Sequence, residues 1–211
     1  MRVVRSLVLA LVATAVVVGV GVLLTDGEQE PPAATTDVPS TPLTDFDTTE
    51  LAAARAAFCD GVPEKAVTEA VGGEAVATAA YGNGDRAKVA GTVRDVAHEF
   101  SCTWRGQDGS VARAWVFAPP VTPTRAEALI TEARQVNGCE ADTGAPAYGV
   151  PSLALVCEDG GTRVQSYRGL FGDAWLTCQL VTPATLAPAT QADRTSRWCA
   201  SVAASVAAVE G

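Results

Sequence analysis

An uncharged run near the N-terminus, SLVLALVATAVVVGVGVLL at residues 6–24, is the feature that most constrains this chain. At about 1.5 Å rise per residue, a helix of this length spans roughly 28 Å, close to the hydrocarbon thickness of a bilayer. In lipid the run must be helical, because every backbone N–H and C=O has to be satisfied internally. Arg2 and Arg5 precede it and acidic residues follow it, which favours a cytoplasmic N-terminus. We therefore expect a single-pass signal anchor in the cell membrane, with the C-terminal remainder extracytoplasmic.

A cleaved signal peptide is the competing interpretation of this run. Gly19-Val20-Gly21 and Thr25-Asp26-Gly27 are credible cleavage sites, and cleavage would leave the domain secreted. The run is longer than the core of about 7–15 residues found in typical signal peptides, which favours the uncleaved anchor. Both interpretations place the same domain outside the cytoplasm.

The charge balance limits the classes of binding partner that we expect. The chain carries 24 acidic and 15 basic residues, a net charge of −9. Without Arg2 and Arg5, 13 basic residues remain and the exported part has a net charge of −11. An acidic domain argues against nucleic acid as a partner and against docking on anionic lipid. We expect membrane contact through the N-terminal helix, and an envelope protein or a small ligand as partner.

The segment after the apolar run has the composition of a linker. Residues 25–45, TDGEQEPPAATTDVPSTPLTD, combine prolines with Thr, Ser and acidic residues. Such a segment has too little apolar surface to fold, and its prolines keep it extended. The expected organisation is a cytoplasmic stub and anchor at 1–24, a disordered linker at 25–45 and an extracytoplasmic domain at 46–211.

The first part of this domain is expected to be helical. Asp47 and Glu50 have the spacing of a capping box and predict a helix to about Phe58. A second short helix starts at Pro63. It ends before the glycine-rich residues 72–92, which we interpret as a loop or an irregular hairpin.

Strand patterns dominate the remainder. From about Val93, apolar and polar residues alternate, with Phe100 and Cys102 on one face. Further strands are expected at residues 110–118, 153–158, 162–168 and 173–181. A capping box at Thr124 predicts a helix to about Val136, and an apolar stripe predicts a final helix over 193–209. This order predicts an α+β domain whose antiparallel sheet has helices packed mainly on one face.

The cysteines indicate disulfides. All six lie beyond the apolar run, at Cys59, Cys102, Cys139, Cys157, Cys178 and Cys199. Their gaps do not resemble the knuckle of a zinc site, and the chain has one histidine. Six cysteines in an exported chain are typical of three disulfides, although about 15 pairings are combinatorially open. We expect the nearest-neighbour pairing: Cys59–Cys102, Cys139–Cys157 and Cys178–Cys199.

No catalytic, metal or cofactor motif stands out. His98 lies near Asp95 and Glu99, which is compatible with acid–base chemistry, but strand parity predicts that it points inward as a structural residue. The Tyr81–Asp85 stretch lacks the Lys of a phosphate-binding loop and is interpreted as a turn. We therefore name no catalytic residue, no metal site and no cofactor.

Aromatic residues supply the candidate binding site. Tyr167, Phe171 and Trp175 cluster around one hairpin turn, and the loop that contains Tyr148 is expected to border the same region. An exposed aromatic hairpin tip would contact a partner or a ligand. Burial of these side chains beneath a second layer of helices is the equally weighted alternative.

Short motifs carry a resemblance to known proteins. They are Phe58-Cys59 ahead of a short helix ending in Gly, Ser101-Cys102-Thr103-Trp104, and Trp175 with Cys178-Gln179 and with Cys199 on the last helix. With these motifs the chain resembles uncharacterised actinobacterial cell-envelope lipoproteins or single-pass proteins with a disulfide-bonded α+β domain. It is also similar to the extracellular sensor domains of some actinobacterial receptor kinases, although it has neither a kinase domain nor a lipid-accepting cysteine. The resemblance implies a location and a fold style, and no activity.

These observations favour a membrane-tethered, non-catalytic domain that binds a ligand or a protein in the cell envelope. Two alternatives stay open: an envelope enzyme that uses Asp/Glu chemistry, and a structural accessory subunit of an envelope complex. An enzyme requires a cleft with two inward carboxylates, or His98 with an acid, whereas a binding domain requires a groove without them.

Overall fold

The computed structural model describes residues 41–90 and 93–207. The apolar run at 6–24, predicted as a membrane anchor, lies outside these residues, as does most of the predicted linker. Within the described part, no helix has the length and apolar character needed to cross a membrane.

The described residues form an α+β domain, as the sequence predicts, with nine strands and three α-helices. Two single-turn 3₁₀ helices, Leu43–Asp45 and Cys59–Gly61, come first. The helices are α1 (Glu64–Val71), α2 (Pro123–Arg134) and α3 (Pro188–Ala207). The strands are β1 (Ala77–Tyr81), β2 (Arg86–Ala90), β3 (Val93–Val96), β4 (Glu99–Arg105), β5 (Val111–Phe117), β6 (Cys139–Ala141), β7 (Ser152–Asp159), β8 (Thr162–Phe171) and β9 (Ala174–Pro183).

Seven of the strands form one antiparallel sheet in the order β1-β4-β5-β9-β8-β7-β6, and β2 pairs with β3 alone. The register places Cys102 opposite Ala114, and Ala114 opposite Cys178. Cys178 is in turn opposite Tyr167. Residues directly opposite each other share a face, so these four side chains define one face of the sheet.

Helices α1 and α3 cover that face. The apolar stripe of α3 includes Trp198, Val202 and Val206, each at most 1% exposed. It packs in one cluster with Leu176 and Leu180 of β9. Gly72 ends α1 in the left-handed conformation (φ 72°), which glycine adopts without steric cost. Burial of these side chains removes them from water and supplies most of the stabilisation expected of such a core.

Helix α2 packs on the opposite face, which refines the prediction that helices lie mainly on one side. Its Ala126 and Ile130 contact a cluster that contains Leu153, Leu170 and Trp175. These apolar side chains require a cover because their face would otherwise expose them to water. Contacts of α2 reach β6, β7 and β8, so the helix covers one end of this face and leaves the β1–β4–β5 end open.

The cysteines form the three nearest-neighbour disulfides that the sequence favours: Cys59–Cys102, Cys139–Cys157 and Cys178–Cys199. The first joins the short 3₁₀ helix to β4, the second joins directly opposed residues of β6 and β7, and the third joins β9 to α3.

The predicted helix from Asp47 to about Phe58 is wrong, because this segment is irregular. The Asp47 carboxylate accepts from the backbone N–H of Thr49 at 2.9 Å and closes a local turn instead of capping a helix. Backbone N–H groups of Ala53 and Ala54 donate to tertiary partners in place of helical ones. Leu43, inside the expected linker, is 3% exposed and packs in the core.

Other boundaries shift as well. The glycine-rich residues 72–92 contain strands β1 and β2, and the expected loop after Cys139 contains β6. Helix α2 is capped by Thr122, whose hydroxyl accepts from the Arg125 N–H at 3.2 Å. The proposed capping residue Thr124 therefore lies within the helix, because Pro123 occupies its first turn.

Candidate functional site

The predicted aromatic site is buried. Tyr148, Tyr167 and Phe171 are 0%, 3% and 1% exposed, and their rings contact one another with Tyr148 at the centre. Trp175 is 3% exposed and belongs to the cluster under α2. The four side chains thus lie on two faces of the sheet, and the alternative of burial is the one that the structure has.

His98 is exposed, contrary to the inward orientation predicted from strand parity. The residue lies between β3 and β4, outside the regular pairing that begins at Glu99, so the alternation does not extend to it. Its backbone carbonyl accepts from the Ala118 N–H at 2.9 Å. In the described part of the chain no group of His, Cys, Asp and Glu has the arrangement of a metal site.

A cleft lies between the open sheet face and the strands β2 and β3, which we call the flap. Its floor includes Ala79, Thr103, Arg113 and Gln179, which the register places side by side across four strands. The cleft has a volume of about 630 Å³. We call this space the flap cleft.

Backbone hydrogen bonds extend the pairing of the flap beyond β2 and β3 to its base. The N–H of Ala97 donates to Asp85 O at 2.8 Å, and the N–H of Gly84 donates to Ala97 O at 2.9 Å. The Asp85 carboxylate accepts from the Gly82 N–H at 2.8 Å. Ala87 and Ala97 are 6% and 0% exposed, so the flap buries small side chains at its base.

Positive charge distinguishes this cleft within an acidic protein. The cationic residues that line it are Arg86, Lys88, Arg94, Arg105 and Arg113. None of the residues lining it is acidic. The chain as a whole has a net charge of −9, so this concentration of cations opposes the overall charge.

Most of these cations form no ion pair with a described residue. Lys88 lies directly opposite Arg94 in the flap, and like charges in opposed positions destabilise a strand pair. Among the residues that the structure describes, none forms an ion pair with Arg86, Lys88, Arg94 or Arg105. A bound anion would relieve this repulsion.

Arg113 is the exception, because the structure holds it in a network. It donates to Tyr81 Oη at 2.8 Å and pairs with Glu99 Oε1 at 3.3 Å. Its guanidinium also lies 4.6 Å from the centre of the Trp115 ring. The Tyr81 hydroxyl donates to Glu99, and burial together with this hydrogen bond raises the pKa of Tyr81. The network fixes one wall of the cleft.

This arrangement is suited to binding an anion by charge and hydrogen bonds. An enzyme with two catalytic carboxylates would present them in its cleft, whereas the only carboxylate of this network, Glu99, is engaged by Arg113 and Tyr81.

Sequence reasoning missed this site because its residues are dispersed along the chain. Arg86 and Lys88 fall in a segment interpreted as a loop or an irregular hairpin, and Arg105 and Arg113 belong to strands that only pairing brings together. The alternation of Arg86-Ala87-Lys88-Val89 is the signal that predicts a strand with a cationic face.

Neither a protein-family model nor a curated protein sequence matches this chain. Its function is therefore argued from the flap cleft.

Proposed function

We propose that this chain is a membrane-tethered, extracytoplasmic binding domain, without catalytic activity, that holds an anionic ligand in the flap cleft. The observation that carries the proposal is a set of cations without ion pairs around a cleft whose lining residues include no Asp or Glu. Ligand sites commonly have volumes of about 300–1,000 Å³, and the flap cleft, at about 630 Å³, falls in this range.

The location rests on the sequence. The apolar run at 6–24 has the length of a membrane span, and Arg2 and Arg5 favour a cytoplasmic N-terminus. Three disulfides support an oxidising compartment. The resemblance to actinobacterial envelope proteins points to the same place.

The flap also favours binding over a purely structural role. A cross-strand pair of like charges, Lys88 with Arg94, lowers the stability of the free protein. A purely structural subunit gains no stability from such a pair unless its partner is anionic. Binding of an anionic partner is part of the proposed function.

The test is equilibrium binding to the full-length chain purified in detergent. Inorganic polyphosphate and poly-L-glutamate serve as anionic probes and dextran as the neutral probe. We expect both polyanions to bind and dextran not to bind, with affinity falling as salt rises because the contacts are ionic. The Lys88→Glu variant should bind more weakly, while Lys65→Glu, an exposed lysine of α1, should bind like the wild type.

Equal binding of dextran and polyanions, or no binding of any probe, contradicts the proposed site. The location has its own test: protease added to intact spheroplasts should digest the domain. Protection of the domain until the membrane is permeabilised contradicts an extracytoplasmic position.

A further inference from the structure

We infer that the ligand of the flap cleft is an extended acidic polypeptide segment, which adds as a strand between the free edges of β1 and β2. This inference rests on the proposed function, because it names the chemical class of the anion. It is argued from the way in which the two strands line the cleft, from the state of their edges and from the spacing of the cations.

The cleft extends from the open sheet face along two further strands, β1 and β2. Every residue of β1, Ala77–Tyr81, lines it, and so do the consecutive residues Arg86–Val89 of β2. Successive side chains of a strand point to opposite faces. A cleft that touches consecutive residues of both strands therefore reaches their backbones as well as the sheet face that forms its floor.

Both edges are unpaired within the described strands. β1 pairs with β4 on one side, and β2 pairs with β3 on one side. The other side of each strand presents a row of N–H and C=O groups that a further strand can use. A segment lying between them would bond to both sheets.

The β1 edge also lacks the protection that proteins usually give to such strands. Its sequence, ATAAY, has no Pro or Lys, its register with β4 is regular, and Ala77–Ala80 are exposed. At the other end of the sheet, β6 has only the three residues Cys139–Ala141 and is tied to β7 by a disulfide. Short and tied edges resist strand addition, whereas long and uncovered edges invite it.

The charges specify which kind of strand fits. Arg86 and Lys88 are two residues apart in β2, so their side chains lie on the same face at a spacing of about 6.6 Å. Acidic residues at alternate positions of an added strand have the same spacing. Arg94 lies opposite Lys88 and Arg105 lies opposite Ala77 of β1, so the paired neighbour of each of the two strands also carries a cation.

The test uses two peptides of about eight residues, a typical strand length. The first alternates Glu with Thr, and the second is the same peptide with N-methyl groups on every Thr, which keeps the charge and blocks hydrogen bonding along one edge. Full-length protein in detergent is titrated with each peptide, and inorganic polyphosphate is titrated separately.

We expect the unmodified peptide to bind at least about tenfold more tightly than the N-methylated peptide, a difference of about 1.4 kcal/mol. Lys88→Glu should weaken binding of the unmodified peptide by about the same factor, with Lys65→Glu as the control. Equal binding of the two peptides, or binding of neither, overturns strand addition. In both cases, binding of polyphosphate would still support an anion site in the flap cleft. Absence of polyphosphate binding would overturn the proposed function as well.

Discussion

The two ends of the sheet are built for different tasks. At one end, β8 and β9 are covered on one face by α3 and on the other by α2, and side chains such as Leu176, Leu180 and Trp175 are at most 3% exposed. At the other end, β1 is uncovered on its free edge and exposed along most of its length.

Charge follows the same division. The covered end places apolar groups against apolar groups, which is where burial contributes most to stability. The uncovered end collects Arg86, Lys88, Arg94 and Arg105 in a position where water solvates them at little cost. The comparison teaches that this fold separates its stabilising core from its candidate site, so each can be altered with limited effect on the other.

The largest expected effect comes from the core. Trp198 is 1% exposed and its ring centre lies 5.3 Å from that of Trp104. Trp198→Ala should lower the free energy of unfolding by about 3–5 kcal/mol because it leaves a large cavity. Urea unfolding of full-length protein measures this loss. Trp115→Ala, on the partly exposed open face, is the matched control, and an equal loss in both variants would contradict the division.

The disulfides offer a comparison at nearly equal loop length. Cys178–Cys199 closes 21 residues and Cys139–Cys157 closes 18. Chain entropy predicts about 3 kcal/mol for either bridge. Both cysteines of the first bridge are 0% exposed, so replacing them with Ala also disturbs packing and should cost more than the same change in the second. Denaturant midpoints of the two double variants measure both losses of stability. A larger loss for the variant that lacks Cys139 and Cys157 would refute the prediction.

Alkaline pH tests the covered end independently. Burial, reinforced by the nearby Asp142 charge, raises the pKa of Tyr167 from 10.0 to about 12. The unfolded chain therefore loses this proton first, so the stabilisation is complete below pH 10 and is lost as pH rises towards 12. The expected loss is about 3 kcal/mol. Urea unfolding between pH 9 and 12 measures this loss, with Tyr167→Phe as the control. If the free energy of unfolding of the variant falls with pH as steeply as that of the wild type, the effect belongs to another group.

The smallest effect on stability is expected at the flap. Lys88→Glu replaces a like-charge pair with an opposite-charge pair across from Arg94. It should change the free energy of unfolding by less than about 1 kcal/mol, in the stabilising direction. The same substitution should weaken polyanion binding. Thermal unfolding provides the stability readout, and a strongly destabilised variant would show that the flap belongs to the core.

Local patterns in the sequence predicted several elements at both ends of the sheet. The alternation around Cys102, the strand pattern at residues 110–118 and the apolar stripe of the final helix predict β4, β5 and α3, and these elements are present. Such elements are predictable because their periodicity reflects a single buried face. The nearest-neighbour disulfide pairing, which we expected although the sequence left other pairings open, is confirmed.

The wrong and missed predictions have a common cause, because contacts between residues far apart in the sequence decide these parts of the structure. The Asp47 and Glu50 capping box predicts a helix, but backbone bonds from Ala53 to Phe171 and from Ala54 to Val206 keep that segment irregular. The interpretation of the aromatic hairpin tip as exposed is wrong, because helix packing covers Tyr167 and Trp175. No local sequence pattern indicates that these side chains are covered. The flap cleft was missed for the same reason, since strand pairing alone brings its cations together.

Hydrogen exchange of the full-length protein, with and without the peptide that alternates Glu and Thr, tests the central claim most directly. The account predicts that peptide binding slows exchange at amides of β1 and β2, where an added strand would accept their hydrogen bonds, and leaves β8 unchanged. Protection confined to the β8–β9 end, or bound peptide with no protection in β1 and β2, would contradict it.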